Sequence, residues 1–319
     1  MTLHFVVPPP EETISGGNVY NRALLDALRA AGVDARIASP HAPRAEGAGG
    51  SASDTYLVDS LYLDAVPRLR PCHLLAHYLP CLVDGSERPS FEERAALEAA
   101  TGFVVPSRFM ADALARLAPS PRPSLVVAPG IDVAHEPAPR VARALMVANL
   151  VPGKGVAPFL RALRGRHLAL TIVGRLDADP DYAAECRAAA PSVELAGARP
   201  HRETLAMIAA SDLLVSSSRM EAFGLALAEA RALGVPIVAR AGGNVAALVD
   251  EAAGGRVLAD EEALADECVR LGRDPLELER RRAAASALRP PARTWADAAR
   301  DLVAGLQRLS AERPIPPGT

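Results

Sequence analysis

"SSSRMEAFGLALAEARALGVPIVARAGG", Ser216 to Gly243, contains an alanine-rich helical run, a glycine stop at Gly234, then Pro236 and a short apolar strand. With "DLLVSS" (Asp212–Ser217) in front of it, the stretch spells strand, helix, strand. The same alternation runs nearly throughout the chain, which predicts parallel sheets with crossover helices. Strands are expected at Leu3–Val7, Ala35–Ser39, Thr55–Asp59, His73–Tyr78, Gly102–Pro106 and Ser124–Ala128. A second series is expected at Ala144–Ala148, Leu168–Gly174, Val193–Gly197, Asp212–Ser217 and Val235–Ala239. Between the first two strands, "NVYNRALLDALRAAG" puts Val19, Ala23, Leu24 and Leu28 on one helical face and ends at Gly32. The pattern gives two doubly wound α/β units. A proline-rich stretch without periodicity, Ala128–Arg143, is the expected junction, and His41–Ser53 reads as a surface loop.

A chain of 319 residues, half apolar and 23% charged, is globular and long enough for two domains. Its 35 basic and 38 acidic side chains leave a net charge of −3, which argues against nucleic acid as the main partner. The run Glu279–Arg282 reads as the solvated face of a helix. No basic leader precedes the proline-broken start, and no window reaches the ~20 apolar residues of a membrane span. Four cysteines without a CxxC fit a reduced, cytoplasmic compartment, and the alanine and arginine bias suggests a bacterial source. Near the end, Thr294 and Asp297 have capping-box spacing ahead of a stripe of Leu302, Val303, Leu306 and Leu309. The final "AERPIPPGT" is expected to be disordered.

Glu221 and Glu229 stand eight residues apart in an otherwise apolar segment. On a helix over Ala222–Leu233 they share one side and lie ~12 Å apart along the axis. That exceeds the ~5 to 9.5 Å at which a hydrolase carboxylate pair works across one bond. The pair suits two ends of one long ligand, with the helix start at Phe223, Gly224 and Leu225 offering N–H groups to an anion between them. The spacing alone suits equally a helix with an N-terminal charge and an exposed glutamate.

The stretch Ser217–Val249 resembles the Glu-x7-Glu region of the retaining GT-B glycosyltransferases of family 4, including the Phe-Gly pair, the Gly-x-Pro strand and the following Gly-Gly. The resemblance implies that Glu221 sits by the donor sugar and Glu229 binds the nucleotide ribose. Further segments are similar to the family in the same order. "ISGGNVYNRAL" resembles its glycine loop, implying donor phosphates near Gly16 and Gly17, and "VVAPGIDVA" its turn before the interdomain linker. In "LLAHYLPCL" His77 matches the histidine that faces the donor sugar, although a histidine satisfied inside a strand is the plain alternative. A metal site of Cys72, His73, His77 and Cys81 needs a helix, because on a strand His73 and His77 are ~13 Å apart. "MVANLVPGKGV" supplies Lys154 for the diphosphate, but Asn149 stands where the family has an arginine, with Arg175 and Arg219 as candidate replacements.

The fold expected from this resemblance is GT-B: two Rossmann-like domains facing each other across a cleft. The boundaries are 1–136 for the acceptor domain and 137–292 for the sugar-nucleotide domain. A helix over 293–310 is expected to pack back on the first domain, followed by a disordered tail over 311–319. The implied activity is a metal-independent, retaining hexosyl transfer from a UDP- or GDP-sugar to an unidentified acceptor, with no cofactor. His77 and Glu221 are the candidate catalytic residues. Gly16, Gly17, Lys154, Phe223, Gly224, Leu225 and Glu229 are the candidate donor contacts. Peripheral membrane contact stays open. Two rival readings remain: a sugar-nucleotide epimerase or hydrolase of this architecture, and a non-catalytic sugar-nucleotide-binding protein.

Overall fold

The central runs of the expected strands are apolar at consecutive positions, which suits strands covered on both faces. The computed structural model describes residues 2–9, 15–41, 54–131, 144–190, 192–291 and 293–311. Of the expected loop His41–Ser53, junction Ala128–Arg143 and tail 311–319, residues 42–53, 132–143 and 312–319 lie outside the described residues, and Ala311 ends a helix. Twelve strands form among the described residues: β1 Thr2–Val6, β2 Ala35–Ile37, β3 Asp54–Asp59, β4 Cys72–Leu75, β5 Gly102–Val105, β6 Ser124–Val126, β7 Ala144–Val147, β8 Leu170–Val173, β9 Glu194–Gly197, β10 Leu213–Ser216, β11 Ile237–Arg240 and β12 Arg256–Leu258. They make two six-stranded parallel sheets, ordered β2-β1-β3-β4-β5-β6 and β12-β11-β10-β7-β8-β9. β4, β5 and β8 are buried at every position, whereas the edge strands β2, β6, β9 and β12 are each partly exposed. β12 was not among the expected strands, because its three residues follow Gly254 and Gly255 and carry an exposed Arg256.

The described residues divide into two compact units. One takes those of Met1–Thr13, Gly17–Gly130 and Arg293–Thr319, the other those of Ile14–Gly16 and Ile131–Ala292. The helices that matter below are α1 Gly16–Ala30, α2 Val156–Ala162, α3 His201–Ala210, α4 Leu225–Ala232, α5 Glu261–Gly272, α6 Pro275–Ala287 and α7 Trp295–Ala311.

In the first unit α1 buries Asn18, Tyr20, Asn21, Leu24, Leu25 and Leu28, so its inner face is rotated from the expected one and carries two asparagines. The helix ends as glycine chemistry dictates. Gly32 has φ +77°, its N–H donates to the Arg29 carbonyl and the Val33 N–H donates to the Leu28 carbonyl. α7 opens with a reciprocal capping box: Thr294 N–H donates to Asp297 Oδ2 at 2.9 Å and Asp297 N–H to Thr294 Oγ1 at 3.2 Å. It buries Trp295, Ala298, Ala299, Leu302 and Leu306 among Leu3, Phe5, Leu24, Leu57 and Val104, and so lies in the core of the first unit.

In the second unit the core gathers β7, β8 and β10 with α2, α5 and α6, around Phe159, Leu160, Ile172 and Leu271. The arginine run is not a plain solvated face. Arg281 is buried against Glu267 and Glu277, and Arg282 donates to the carbonyls of Ala209 and Ser211 at the end of α3. For Arg281 the reason is Glu267. Its carboxylate is buried and draws in Arg256, Arg270 and Arg281 together.

Candidate functional site

In an open parallel sheet the crevice beyond the carboxyl ends of the strands, where strand order reverses, is the natural ligand position. In the second sheet that reversal lies between β7 and β10, which neighbour one another while β8 and β11 run off to either side. The segment after β7 turns through Pro152–Lys154 into Gly155, whose φ of +63° ends the turn and starts α2. A Cβ at Gly155 would stand 2.3 Å from the Ser217 carbonyl oxygen, so glycine permits the segment after β10 to lie against this turn. Two hydrogen bonds stitch them: Ser217 Oγ to the Lys154 carbonyl at 2.8 Å, and Arg219 N–H to the Gly153 carbonyl at 3.0 Å. The outcome is that Lys154 Nζ meets Glu221 Oε1 at 2.6 Å, with a third of the lysine side chain still exposed.

Glu221 is held from its other side by the Gly242-Gly243 pair. Gly243 has φ +59° and a Cβ there would fall 2.3 Å from the Glu221 carbonyl oxygen, which instead accepts the Asn244 N–H at 2.7 Å. The Asn244 side chain donates to the Phe223 carbonyl at 2.8 Å. The helix then begins at Leu225, not at Ala222 as its composition suggested. Gly224 has φ +89°, a left-handed cap that places Glu221 and Phe223 in a loop. The ~12 Å axial spacing therefore does not describe Glu221, which is placed by the glycine pair. No side chain caps α4, so its first N–H groups are not answered from the helix's own start.

Glu229 lies in the second turn of α4 and is 4% exposed. Its Oε1 is 2.6 Å from Nε2 of His201, the first residue of α3. This hydrogen bond, aided by the carboxylate's charge, raises the His201 pKa against the opposing effect of burial. His201 was missed in the sequence. Nothing in "PHRETL" ties it to a glutamate 28 positions on. Asn149 accepts the Arg175 N–H through Oδ1 at 2.9 Å, so it fixes the exit of β8. The Arg175 guanidinium is paired to Asp177, whereas Arg219 is exposed and forms no ion pair among the described residues.

The first sheet reverses between β1 and β3, and there a second polar cluster stands. His77 follows β4 by two residues, just outside the strand rather than within it. Its Nε2 is 2.7 Å from Asn21 Oδ1 on α1. Asn21 Nδ2 donates to Asp59 Oδ2 at 2.7 Å, and Asp59 ends β3. Ser60 Oγ accepts the His77 N–H at 3.2 Å. The Tyr20 ring meets His77 edge-on at 4.9 Å and anchors its hydroxyl on the Val127 carbonyl. Burial lowers the His77 pKa, with Asp59 opposing. Gly16 and Gly17, expected in the turn before α1, form its first residues, and a Cβ on Gly17 would stand 3.3 Å from His77 Cδ2. Gly17 thus makes room for the imidazole. Among the described residues no cluster of three or more His, Cys, Asp or Glu is arranged to hold a metal ion, and no helix is long and apolar enough to cross a membrane.

Residues 132–288 match the family of glycosyl transferases group 1. No curated protein matches the sequence. Among solved structures the chain is similar to the sucrose-phosphate synthase of Thermosynechococcus elongatus, with a TM-score of 0.74 and 18% identity over 98% of this chain and 100% of that one. It is similar to the Anabaena HepE protein in complex with UDP and glucose, with a TM-score of 0.75 and 15% identity over 97% and 100%. A glycosyltransferase involved in avilamycin A biosynthesis matches with a TM-score of 0.61 and 18% identity over 98% of each chain. These likenesses establish the GT-B fold.

Proposed function

We propose that the chain, whose residues 132–288 match the group 1 glycosyl transferases, transfers a sugar from a nucleoside diphosphate sugar to a hydroxyl acceptor with retention at the anomeric carbon. The observation that carries the reading is the Lys154–Glu221 pair at the reversal between β7 and β10, inside the matched segment. Lys154 offsets the diphosphate charge, and the N–H groups opening α4 at Leu225 add to it. Arg219, exposed and tied through its backbone to the lysine turn, is the second cation that Asn149 does not supply. Glu229, held by His201, accepts the ribose hydroxyls, and Glu221 receives the sugar end. His77, at the reversal of the first sheet, is a polar contact for a hydroxyl. UDP is the first nucleotide to try, since the similar HepE protein was captured with it.

In the proposed step the bond from the anomeric carbon to the leaving phosphate oxygen breaks, and the acceptor oxygen bonds the same face. The acceptor proton passes to the leaving phosphate, so atoms and charge balance without a carboxylate at bonding distance. Lys154 and Arg219 take the part a divalent cation plays elsewhere.

The test is a thermal-shift panel of UDP, GDP, ADP and their common sugars on the wild type and Glu229→Ala. A ligand at ~100 times its dissociation constant adds ~2.7 kcal/mol of stability. The expected result is one nucleotide series that stabilises the wild type and not the variant. No shift with any nucleotide would sink the donor assignment. Binding with donor turnover in the absence of any acceptor would favour a hydrolase or epimerase, and binding with no turnover at all a carrier.

A further inference from the structure

The His77 cluster contains a constraint that its distances alone do not state. Asp59 is 1% exposed, and both its oxygens are engaged: Oδ1 accepts the Leu61 N–H at 2.9 Å and Oδ2 accepts Asn21 Nδ2 at 2.7 Å. The Asn21 amide cannot be turned round. Its oxygen would then face a carboxylate oxygen at 2.7 Å, two acceptors with no proton between them. Nδ2 is therefore fixed on Asp59, and Oδ1 is fixed toward His77 at 2.7 Å. A carbonyl oxygen only accepts, so the proton in that contact sits on Nε2.

The remaining question is whether Nδ1 is protonated as well. Burial disfavours the charged ring more than Asp59 favours it. Asp59 Oδ2 is 3.6 Å from Nε2, beyond hydrogen-bond reach, and its strong contact is spent on Asn21. The other groups facing the ring do not change this balance. Tyr20 presents a ring edge with its hydroxyl on Val127, Ser60 accepts from the backbone of His77, and burial raises the pKa of Tyr78. Among the described residues Nδ1 forms no hydrogen bond.

We propose that Asp59 and Asn21 act as a relay that fixes His77 as the neutral Nε2–H tautomer, so that it meets substrate as a hydrogen-bond acceptor through Nδ1. The partner it takes is a hydroxyl that donates. That this hydroxyl belongs to a sugar rests on the proposed transferase reading, while the tautomer itself does not. Asn21 and Asp59 are positioning residues. The amide between carboxylate and imidazole separates this arrangement from a direct Asp–His pair, which would favour the charged ring.

The experiment is nitrogen NMR of the full chain labelled with 15N-histidine, at neutral pH and without ligand. In the wild type His77 is expected to show a protonated Nε2 and a bare Nδ1. Asp59→Asn is isosteric and makes a sharp prediction. Its oxygen stays on the Leu61 N–H, so its NH2 faces Asn21, the Asn21 amide turns, and Nδ2 of Asn21 donates to Nε2. The His77 proton is then expected on Nδ1, an inverted tautomer on an unchanged fold. A wild-type ring bearing its proton on Nδ1, or doubly protonated, overturns the proposal, and so does a folded Asp59→Asn protein that keeps Nε2–H. Should that variant not fold, Asn21→Ala serves. With the amide gone Asp59 acts directly on the ring and the His77 pKa rises, whereas an unchanged pKa overturns the relay. All readings are made on the free protein, so a chain that transfers no sugar leaves them standing, and an active chain with the other tautomer refutes only the relay.

Discussion

At the scale of single residues, the two glutamates that drew attention in the sequence are each held by a cation or a histidine of a different element. Removing Lys154 leaves Glu221 without its 2.6 Å partner and, in the proposed reaction, takes away the cation assigned to the diphosphate. Lys154→Ala is expected to lower kcat/KM by about 100-fold, the scale of losing one fixed electrostatic contact. Because a third of that side chain is exposed, the melting temperature should barely move. His201 gives a signed pH dependence. Its pKa is raised above the ordinary 6.5 by Glu229, so the stabilisation it adds is complete below that value and fades as pH rises through the folded pKa. An NMR titration should place His201 above 6.5 in the wild type and lower in Glu229→Gln; equal values would refute the coupling. Glu221 and Glu229 stood out as two carboxylates in one short apolar run, and Lys154 as the one lysine of another, "MVANLVPGKGV". His201, Asn21 and Asp59 were not, since parallel topology alone brings together residues 28 and 38 positions apart. One signal was available: an asparagine on the buried face of α1 needs a partner.

At the scale of elements, the turns carry more of the site than the helices. Gly243→Ala would force a Cβ to 2.3 Å from the Glu221 carbonyl at a φ of +59°. It is expected to cost at least ~1 kcal/mol and to weaken nucleotide binding, because the loop holding Glu221 must move. Chemical denaturation and the thermal-shift panel check both parts. The same local chemistry explains where sequence reading failed. The run "AFGLALAEARAL" reads as helix from its first residue, Ala222, yet Gly224 takes a left-handed cap and α4 starts three residues late, at Leu225. Buried parallel strands were readable as apolar runs, while β12, short and at an edge, had no such run. Arg281 of α6 looked like solvent-facing charge because Glu267, its reason for turning inward, lies on α5. Glu267→Gln is expected to cost about 1–3 kcal/mol, since Arg281 keeps Glu277 while Arg256 and Arg270 lose their shared carboxylate. A loss below ~1 kcal/mol in urea unfolding would show that these arginines find water instead.

At the scale of the whole molecule, the first unit is built from both ends of the chain and the second from the segment between them. Activity, once an acceptor is found, is expected to survive EDTA unchanged, since cationic side chains and helix N–H groups carry the proposed leaving-group role. A loss restored by added magnesium would refute that. Thr294→Ala removes one half of the α7 capping box and is expected to cost ~1 kcal/mol, felt by the first unit, whose core α7 completes. That interleaving has a consequence for how the protein is made. Domains generally fold in the order they leave the ribosome. Here Trp295, Leu302 and Leu306, which close the core around Leu3 and Phe5, are translated only after every strand of the second unit. The unit begun first is thus finished last, and its sheet, complete in strands, must wait without its last helix while some 160 residues are added. Nascent chains stalled after residue 292, with a spacer to clear the ribosome, should resist protease over residues 144–291 and be cut within residues 2–130. Equal protection of the two would mean that the first sheet can hold itself together without its last helix.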